Sequence, residues 1–484
     1  MSENKTAAGL FWRTLESIGT QGMQFLVQLV LARLLMPEDF GVVAILSIFV
    51  NIANTVVQSG LSSALLQRKN PQPIDYHTVF VIEFGSSLVM YGVIFFAAPA
   101  IAAFYENPAL TQYLRVFAVS TVLCGLSSTQ MTTLRFRMDF RGSFFANFFG
   151  ITAQGITGIV LALCGFGVWS LIWAQVAYRL VAGVLLAAFA RYIPKLRFSR
   201  ASFRASFSYS WKLFVGWMIG NLYNDAFSLI IGKEYNETIL GYYSKGSTIA
   251  YVINKIVTQV TSGVMFPAIA KIQDEKALVK QQTRQMVSIS AALIFPVMAG
   301  FAAAAEPIVM VVLTEKWAPS IPIIQILSIP AAINVISNAN MQTFNAIGRS
   351  ELFLKCEMIK RTLTIALVFV FGKINFYLML SAIAFMGVIS LILNAFYNVR
   401  ILNYALREQL ADLLPYILFS AVLFAAAYVL NLTPFSYFIK LLLQIVVCAV
   451  LYLVCLLFSR RGAFAAMRNI LQQLLHKRNT GGHS

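Results

Sequence analysis

Charged residues are scarce in this chain of 484 residues, in which Asp, Glu, Lys and Arg together make up 12% of the sequence. Soluble globular proteins carry about 25% charged residues, so the low charge excludes a soluble protein. Hydrophobic residues make up 59% of the chain, and apolar runs long enough for a bilayer core of about 30 Å recur throughout. No gap between these runs would hold a soluble domain. The sequence therefore predicts an integral membrane protein.

The sequence also lacks the groupings that bind metals, nucleotides or nucleic acids. Its five cysteines stand singly in apolar stretches without CxxC spacing, which argues against a metal site or a disulfide framework. No GxxxxGKS/T phosphate-binding loop occurs, so we expect no nucleotide hydrolysis, no cofactor, no catalytic residue and no enzyme. The formal net charge of +18 lies mostly in short loops, where it sets membrane orientation instead of binding nucleic acid. Arg13 and Glu16 interrupt the first apolar run, so we expect no removable signal peptide.

Fourteen apolar segments are predicted to span the membrane as helices. They cover residues 9–35, 40–65, 78–104, 112–134, 143–165, 168–190, 207–232, 239–267, 285–314, 321–346, 353–373, 376–399, 412–432 and 436–458. Lys and Arg accumulate in alternate loops, for example Arg135, Arg137 and Arg141, whereas the loop at residues 431–436 has none. The positive-inside rule then places both termini in the cytoplasm.

Two basic segments have amphipathic patterns. Residues 194–204 interleave aromatic and basic side chains between the sixth and seventh spans, and the tail at residues 460–484 repeats apolar residues at helical spacing. Both patterns favour helices lying on the inner leaflet, and the alternative is a solvated basic linker. The first segment, taken as residues 193–206, would connect two halves of the chain.

An internal repeat is visible when the chain is shifted by 200 residues. Residues 40–44 then align with 240–244, 98–101 with 306–309, and 130–131 with 340–341, at an offset that drifts slowly. Repeats of this kind are common in transporters. The repeat predicts a six-helix lobe at residues 1–192, the linker at 193–206, a second six-helix lobe at 207–400, two additional helices at 401–459 and the basic tail.

Polar side chains form stripes on four of the predicted spans, the first, second, seventh and eighth. Polar helix faces in a bilayer turn toward protein or water, so the stripes predict a central cavity. The candidate substrate-binding residues are Lys255, Lys245, Arg13, Lys212, Asn51, Asn54, Gln24, Asn221 and Tyr251. Lys255 is the main evidence for this cavity, because a mid-membrane cation costs roughly 2.5–3.5 kcal/mol on insertion scales and needs a partner, water or a ligand.

Structural alternatives stand beside each of these assignments. The amides and hydroxyls of the stripes can hold helices together by interhelical hydrogen bonds. Lys245 can extend toward the outer surface, and Arg13 and Lys212 can either do the same on the inner side or form the rim of an inward-facing mouth. The deep Arg179 has Glu83 as a candidate partner in a structural ion pair.

The predicted cavity is net basic, which favours an anionic substrate. Phosphate or pyrophosphate suits lysine side chains, and the abundant amides and aromatic rings suit sugars. Asp225 and Glu16 are the acidic candidates for ion coupling, and they would matter most if the protein exported cations instead.

Four motifs resemble those of polysaccharide exporters of the multidrug/oligosaccharidyl-lipid/polysaccharide superfamily, particularly the colanic acid exporter type. They are LARLLMPEDFG at 31–41, GLSSALLQRKN at 60–70, MFPAIAKIQDE at 265–275 and EKWAPSIPIIQIL at 315–327. The resemblance runs from about residue 9 to residue 400.

This resemblance implies a V-shaped protein of the bacterial inner membrane that moves undecaprenyl-pyrophosphate-linked oligosaccharide to the periplasmic leaflet by alternating access. It also implies that cavity cations contact the diphosphate, which assigns Lys255 to the headgroup. Related lipid flippases use arginines there. Expected partners are the lipid-linked oligosaccharide, membrane lipids, a polysaccharide polymerase and chain-length machinery. The alternatives are a cation-coupled multidrug exporter of the same superfamily and a membrane polymerase, although no large periplasmic loop is present for the latter.

Overall fold

The structure, a computed structural model, describes residues 3–68 and 71–458, and its regular secondary structure over these ranges is entirely helical. The α-helices are α1 (Glu3–Leu34), α2 (Pro37–Gln58), α3 (Leu61–Gln67), α4 (Pro73–Phe104), α5 (Leu110–Phe117), α6 (Val119–Phe136), α7 (Phe140–Leu163), α8 (Val168–Ala190), α9 (Arg200–Glu234), α10 (Glu237–Ala270), α11 (Lys276–Ala303), α12 (Ala305–Ile308), α13 (Ile321–Ala346), α14 (Ser350–Gly372), α15 (Phe376–Leu402), α16 (Leu406–Val429) and α17 (Tyr437–Phe458). Short π and 3₁₀ turns join α12 to α13.

The predicted all-helical membrane fold is confirmed. Each predicted span coincides with a long helix or a broken pair of helices, in the same order along the chain. Within the described ranges, 10 helical segments are long and apolar enough to cross a membrane. The remaining long helices are α1, α9, α10 and α14. The count of fourteen spans is compatible with this architecture and stays a prediction.

Helix starts in the N-terminal half follow a local Pro-x-Asp pattern. Pro37 begins α2, and the Asp39 carboxylate accepts the backbone N–H of Met36 at 2.8 Å. The same arrangement begins α4, where Asp75 accepts the N–H of Gln72 at 2.9 Å. Proline tolerates the first helical turn because no intrahelical partner is needed there. The acidic side chain satisfies a backbone donor next to that turn.

The chain divides into two compact units, residues 1–244 and 245–484, so that the division falls within α10. The repeat predicts a different boundary, at residues 193–206. The difference arises because α9, assigned by the repeat to the second lobe, packs against α2, α3 and α4 of the first unit. The repeat itself stays a prediction.

The linker prediction needs correction. Residues 192–199 are not helical, and α9 begins at Arg200, so the segment at 194–204 is not one amphipathic helix on the membrane surface. Instead it is held to α4: the backbone N–H of Lys195 contacts His77 Nδ1 at 3.0 Å, and that of Ser199 donates to Thr78 Oγ1 at 3.1 Å. These hydrogen bonds favour the extended backbone. The predicted tail helix at residues 460–484 lies outside the described residues.

The first unit contains a reciprocal close crossing of α2 and α10. A methyl group added to Gly41 would overlap the carbonyl oxygen of Glu237, and one added to Gly241 would overlap that of Pro37. Each pair is related by the 200-residue shift, since 37 corresponds to 237 and 41 to 241. The crossing therefore requires glycine at two equivalent positions, as expected where helix backbones approach closely.

The second unit is built around α11, α13 and α16. Val287, Ala291 and Val335 are among the buried residues of its core, together with Leu413 and Tyr416 of α16. The last two helices are thus part of this core, in which Leu456 of α17 is also buried.

Candidate functional site

The polar stripes of α2 and α9 meet directly within the first unit. Asn221 Nδ2 donates to Thr55 Oγ1 at 2.6 Å, and the Thr55 hydroxyl donates to the backbone oxygen of Asn51 at 2.8 Å. One turn further along α9, the Asp225 carboxyl group is within hydrogen-bonding reach of the Asn51 side chain. The i,i+4 spacing on both helices produces this match. The structure therefore brings Asn51, Asn221 and Asp225 together.

Part of this interface has no protein partner. Asn54 Oδ1 and Asp225 Oδ2 are buried oxygens without a hydrogen bond among the described residues. Unsatisfied buried polar atoms are uncommon in folded proteins, and they occur where a ligand, ion or water is bound. The α2–α9 interface is therefore a helix contact that also contains two buried oxygens able to accept a further hydrogen bond.

Lys255 lies on the exposed face of α10. On the opposite face, Ile253 and Val257 pack against the core of the second unit. Asn254, beside them, is buried and donates to the backbone oxygen of Ala331 at 2.6 Å, and Tyr251, one turn before Lys255, packs at the edge of this surface. Val252 and Ile256 are exposed beside Lys255. Packing of α10 therefore directs the lysine away from the core of its own unit, with no ion pair among the residues that the structure describes.

The remaining predicted basic residues have different surroundings. Lys245 is buried, with 9% of its surface exposed, and Lys212 is exposed on α9. Gln24 is half-buried on α1. Arg13 belongs to α1, but its side chain lies outside the described part of the chain.

Glu16 holds α1 against α7. Its carboxylate accepts a hydrogen bond from Ser143 Oγ at 2.5 Å and another from Asn147 Nδ2 at 3.2 Å. This contact satisfies the carboxylate within the protein. The coupling of an ion to transport by Glu16 stays a prediction.

The predicted ion pair between Glu83 and Arg179 is wrong. Glu83 is fully buried, and it accepts hydrogen bonds from Ser62 Oγ at 2.7 Å and Thr129 Oγ1 at 3.4 Å. Arg179 instead lies 5.5 Å from the centre of the Tyr178 ring. Two residues of opposite charge deep in predicted spans form a pair only if their helices bring them into contact. The sequence alone does not show whether the helices do so. The sequence did contain a signal that Glu83 has hydroxyl partners, namely the closely spaced hydroxyl residues of α6: Ser128, Thr129, Thr132 and Thr133.

An apolar cavity in the second unit was not predicted. Its volume is about 560 Å³, and α11, α16 and α17 provide most of its lining. Pro296, Phe301, Leu423, Ile445 and Tyr452 line it. Apolar lining residues resemble lipid-facing residues in the sequence, so hydropathy could not distinguish them. Across the described ranges, no group of three or more His, Cys, Asp or Glu side chains is arranged to hold a metal.

The fold of this protein is similar to that of solved transporters, among them one of the multidrug/oligosaccharidyl-lipid/polysaccharide superfamily. The lipid II flippase MurJ in an inward closed conformation superposes with a TM-score of 0.75 at 13% identity, covering 96% of this chain and 100% of that chain. An inward-facing multidrug resistance transporter of the MATE family superposes with a TM-score of 0.61 at 15% identity, covering 78% and 95%. Identities this low establish the fold alone.

The chain belongs to the polysaccharide biosynthesis protein family, whose sequence profile matches residues 30–322. Among its relatives, the succinoglycan biosynthesis transport protein ExoT of Rhizobium meliloti (strain 1021) is 26% identical over 73% of this chain and 72% of the relative. The lipopolysaccharide biosynthesis protein WzxC of Escherichia coli (strain K12) is 22% identical over 76% and 75%. The resemblance of the sequence to the polysaccharide exporter family is thereby confirmed.

Proposed function

We propose that this protein carries undecaprenyl-pyrophosphate-linked oligosaccharide repeat units from the cytoplasmic to the periplasmic leaflet of a bacterial inner membrane, by alternating access. The observation that carries the proposal is Lys255, an exposed cation near the middle of a bilayer-length helix in a family of polysaccharide biosynthesis proteins. Such a cation is stable beside water or an anion, and a pyrophosphate headgroup supplies the anion.

The apolar cavity supports the lipid part of this substrate. Its volume of about 560 Å³ lies within the range of small-molecule sites, and nearly all of its lining is hydrocarbon. An isoprenoid chain matches that chemistry, whereas a free sugar would leave its hydroxyl groups without partners. Each of the two compact units can keep its own core packed during a transport cycle.

Lys255→Ala tests this proposal in a strain deleted for the chromosomal gene. We expect surface polysaccharide to fall at least about tenfold, the equivalent of about 1.4 kcal/mol of lost headgroup binding, with Lys255→Arg retaining part of the activity. Lys276→Ala is the matched control because Lys276 is exposed at the start of α11. Normal export by Lys255→Ala at normal protein levels contradicts the assignment.

A multidrug exporter is the alternative that the MATE-like fold and the unpartnered Asp225 Oδ2 favour. It predicts that deleting the gene sensitises cells to cationic drugs and that Asp225→Asn reproduces the deletion. The flippase proposal predicts unchanged drug resistance and loss of surface polysaccharide. The two deletion phenotypes separate the functions.

The proposed orientation places both termini in the cytoplasm. Reporter fusions that are active on one side of the membrane only, placed after Gly165 and after Arg349, test it. The first is expected on the periplasmic side and the second on the cytoplasmic side, because basic loops stay inside. Crosslinking in cells tests the proposed association with a polysaccharide polymerase and chain-length machinery.

A further inference from the structure

Glu83 is a carboxyl group with an unusual environment inside the first unit. Its side chain lies ten residues into α4, roughly 15 Å from the start of that helix, and 0% of its surface is exposed. Ser62 of α3 and Thr129 of α6 donate to its two oxygens at 2.7 Å and 3.4 Å. Ser128 of α6 is a further hydrogen-bond partner of the carboxyl group. Side-chain hydroxyls thus form much of its polar environment.

Among the described residues, the cationic side chains of the neighbouring helices form no ion pair with Glu83. Arg68, at the end of α3, is paired with Asp75 at 2.5 Å, and Arg115 of α5 lies 4.2 Å from the centre of the Phe95 ring. On α6, Cys124 is close enough to interact electrostatically with both Glu83 and Arg179. Glu38 and Asp39 are in the first turn of α2, and the charged groups of α9 are Arg200, Arg204, Lys212, Asp225, Lys233 and Glu234. Over the described ranges, none of these forms an ion pair with Glu83.

Hydroxyl partners suit both protonation states of a carboxyl group. A serine or threonine hydroxyl donates to a carboxylate, and after rotating it accepts a hydrogen bond from a neutral carboxylic acid. Arginine or lysine partners would fit the anion alone. Burial without a cation disfavours the charged form, whereas the hydrogen bonds favour it. The hydroxyl partners therefore fit the neutral acid as well as the carboxylate.

Glu83 is also bonded to α3 close to the break between α2 and α3. Ser59 and Gly60 have left-handed backbone angles, φ 33° and φ 73°, and they end α2 before α3 begins at Leu61. The Ser62 hydroxyl that donates to Glu83 accepts in turn from Thr132 Oγ1 at 2.8 Å. The break itself packs on α9, since a methyl group on Gly60 would lie 3.0 Å from the backbone oxygen of Ser210.

We propose that Glu83 is a proton-binding site and that its charge couples proton movement to the geometry of the α2–α3 break. When the site binds a proton from water, one carboxylate oxygen becomes a hydroxyl group. That oxygen then donates a hydrogen bond, whereas the carboxylate oxygen only accepted one. Ser62 or Thr129 then rotates to accept from the new hydroxyl group, and rotation of Ser62 changes the contact between α3 and α4. The coupling to transport rests on the proposed function, whereas the proton site does not.

Infrared difference spectroscopy of the full-length protein in liposomes tests the proton site without any substrate. A neutral buried carboxylic acid has its own carbonyl stretching band. We expect a band that disappears reversibly as pH rises and is absent from Glu83→Gln. Glu106→Gln is the matched control because Glu106 is exposed, and it should keep the band. Ser62→Ala removes a donor to the carboxylate, so its band should persist to higher pH.

Three spectroscopic outcomes overturn the proposal. A band of constant intensity means a permanently neutral acid, and identical spectra of wild type and Glu83→Gln mean a permanently ionised one. A carboxylate band that responds to sodium but not to pH means a metal-cation site. Because glutamine matches glutamate in size, we expect Glu83→Gln to fold, and thermal unfolding of the same liposome samples checks this.

Transport measurements separate the coupling from the proposed function. In proteoliposomes with fluorescent lipid-linked oligosaccharide, an imposed pH gradient should stimulate the wild type and Glu106→Gln, and Glu83→Gln should lose at least about tenfold of that stimulation. Equal stimulation of Glu83→Gln overturns the coupling. If the wild type moves no oligosaccharide, the proposed function fails, while the infrared titration still decides the proton site.

Discussion

The hydrogen bond from Asn221 to Thr55 shows how a residue of a polar stripe can serve packing. Asn221 was expected to face a cavity, and its side chain contacts that of Thr55 at 2.6 Å. Interhelical bonds of this kind contribute about 0.6 kcal/mol on average in membrane proteins. Asn221 can therefore hold α9 on α2 whether or not it also contacts substrate.

Asn221→Ala should lower the free energy of unfolding by about 0.6 kcal/mol, with an upper value of about 1.7 kcal/mol. The reason is that Thr55 loses its donor. Thermal or denaturant unfolding in detergent measures the effect. Asn224→Ala is the control because Asn224 is exposed on the same helix. A double-mutant cycle with Thr55→Val should recover the coupling, and additive effects would contradict a direct bond.

The α2–α10 crossing is the clearest feature at the level of helices. Its contacts join Gly41 to Glu237 and Gly241 to Pro37 within the first unit. Nearby, Asn107 Nδ2 donates to Glu237 Oε1 at 3.0 Å, and Lys233 pairs with Glu106 at 2.9 Å. The Lys233 hydrogen bond lowers the pKa of Glu106 below its ordinary value. These polar contacts flank a crossing that only glycine permits.

Gly41→Ala and Gly241→Ala should each destabilise the protein by about 1–3 kcal/mol, the usual range for overpacking. Each methyl group would meet a backbone oxygen, which cannot move aside as a side chain can. Unfolding in detergent is the measurement. Gly85→Ala on α4 is the control, since a methyl group added there would have no atom within 4 Å. Wild-type stability of both variants would mean that the helices separate at this point.

At the scale of the whole molecule, the last two helices are integrated into the second unit. Arg284 of α11 donates to both oxygens of Asp412 on α16, at 2.9 Å and 2.8 Å. Tyr404 also donates to Asp412, at 2.6 Å. Burial is the main cause of the raised pKa of the Tyr404 hydroxyl, and the bond to Asp412 raises it further. These helices were predicted only as an addition after residue 400.

Asp412→Asn should reduce the free energy of unfolding by about 1 kcal/mol, because the arginine is partly exposed and the loss is moderated by solvent. The substitution weakens the two hydrogen bonds that the Arg284 guanidinium group donates to Asp412. Thermal unfolding and resistance of α16 to proteolysis measure it. Asp274→Asn, at an exposed loop position, is the control. Equal proteolysis of the two variants would show that α16 is held by apolar packing alone.

The sequence by itself determined the membrane class, the order of the long helices and the family. These properties depend on local composition, on loop charge and on contiguous motifs such as LARLLMPEDFG. The position of Lys255 on a long helix follows for the same reason. The repeat also placed Gly41 and Gly241 at equivalent positions, although it did not predict their contact.

Only the tertiary structure decided which helix faces meet. The hydroxyl environment of Glu83, the contact of Asn221 with Thr55, the apolar cavity and the placement of α9 in the first unit all depend on the rotation and depth of neighbouring helices. Residues far apart in the chain set these contacts, and several rotations satisfy the same hydropathy pattern. Glu83 and Arg179 illustrate this limit, since two deep charges suggested a pair and packing directed them to different partners.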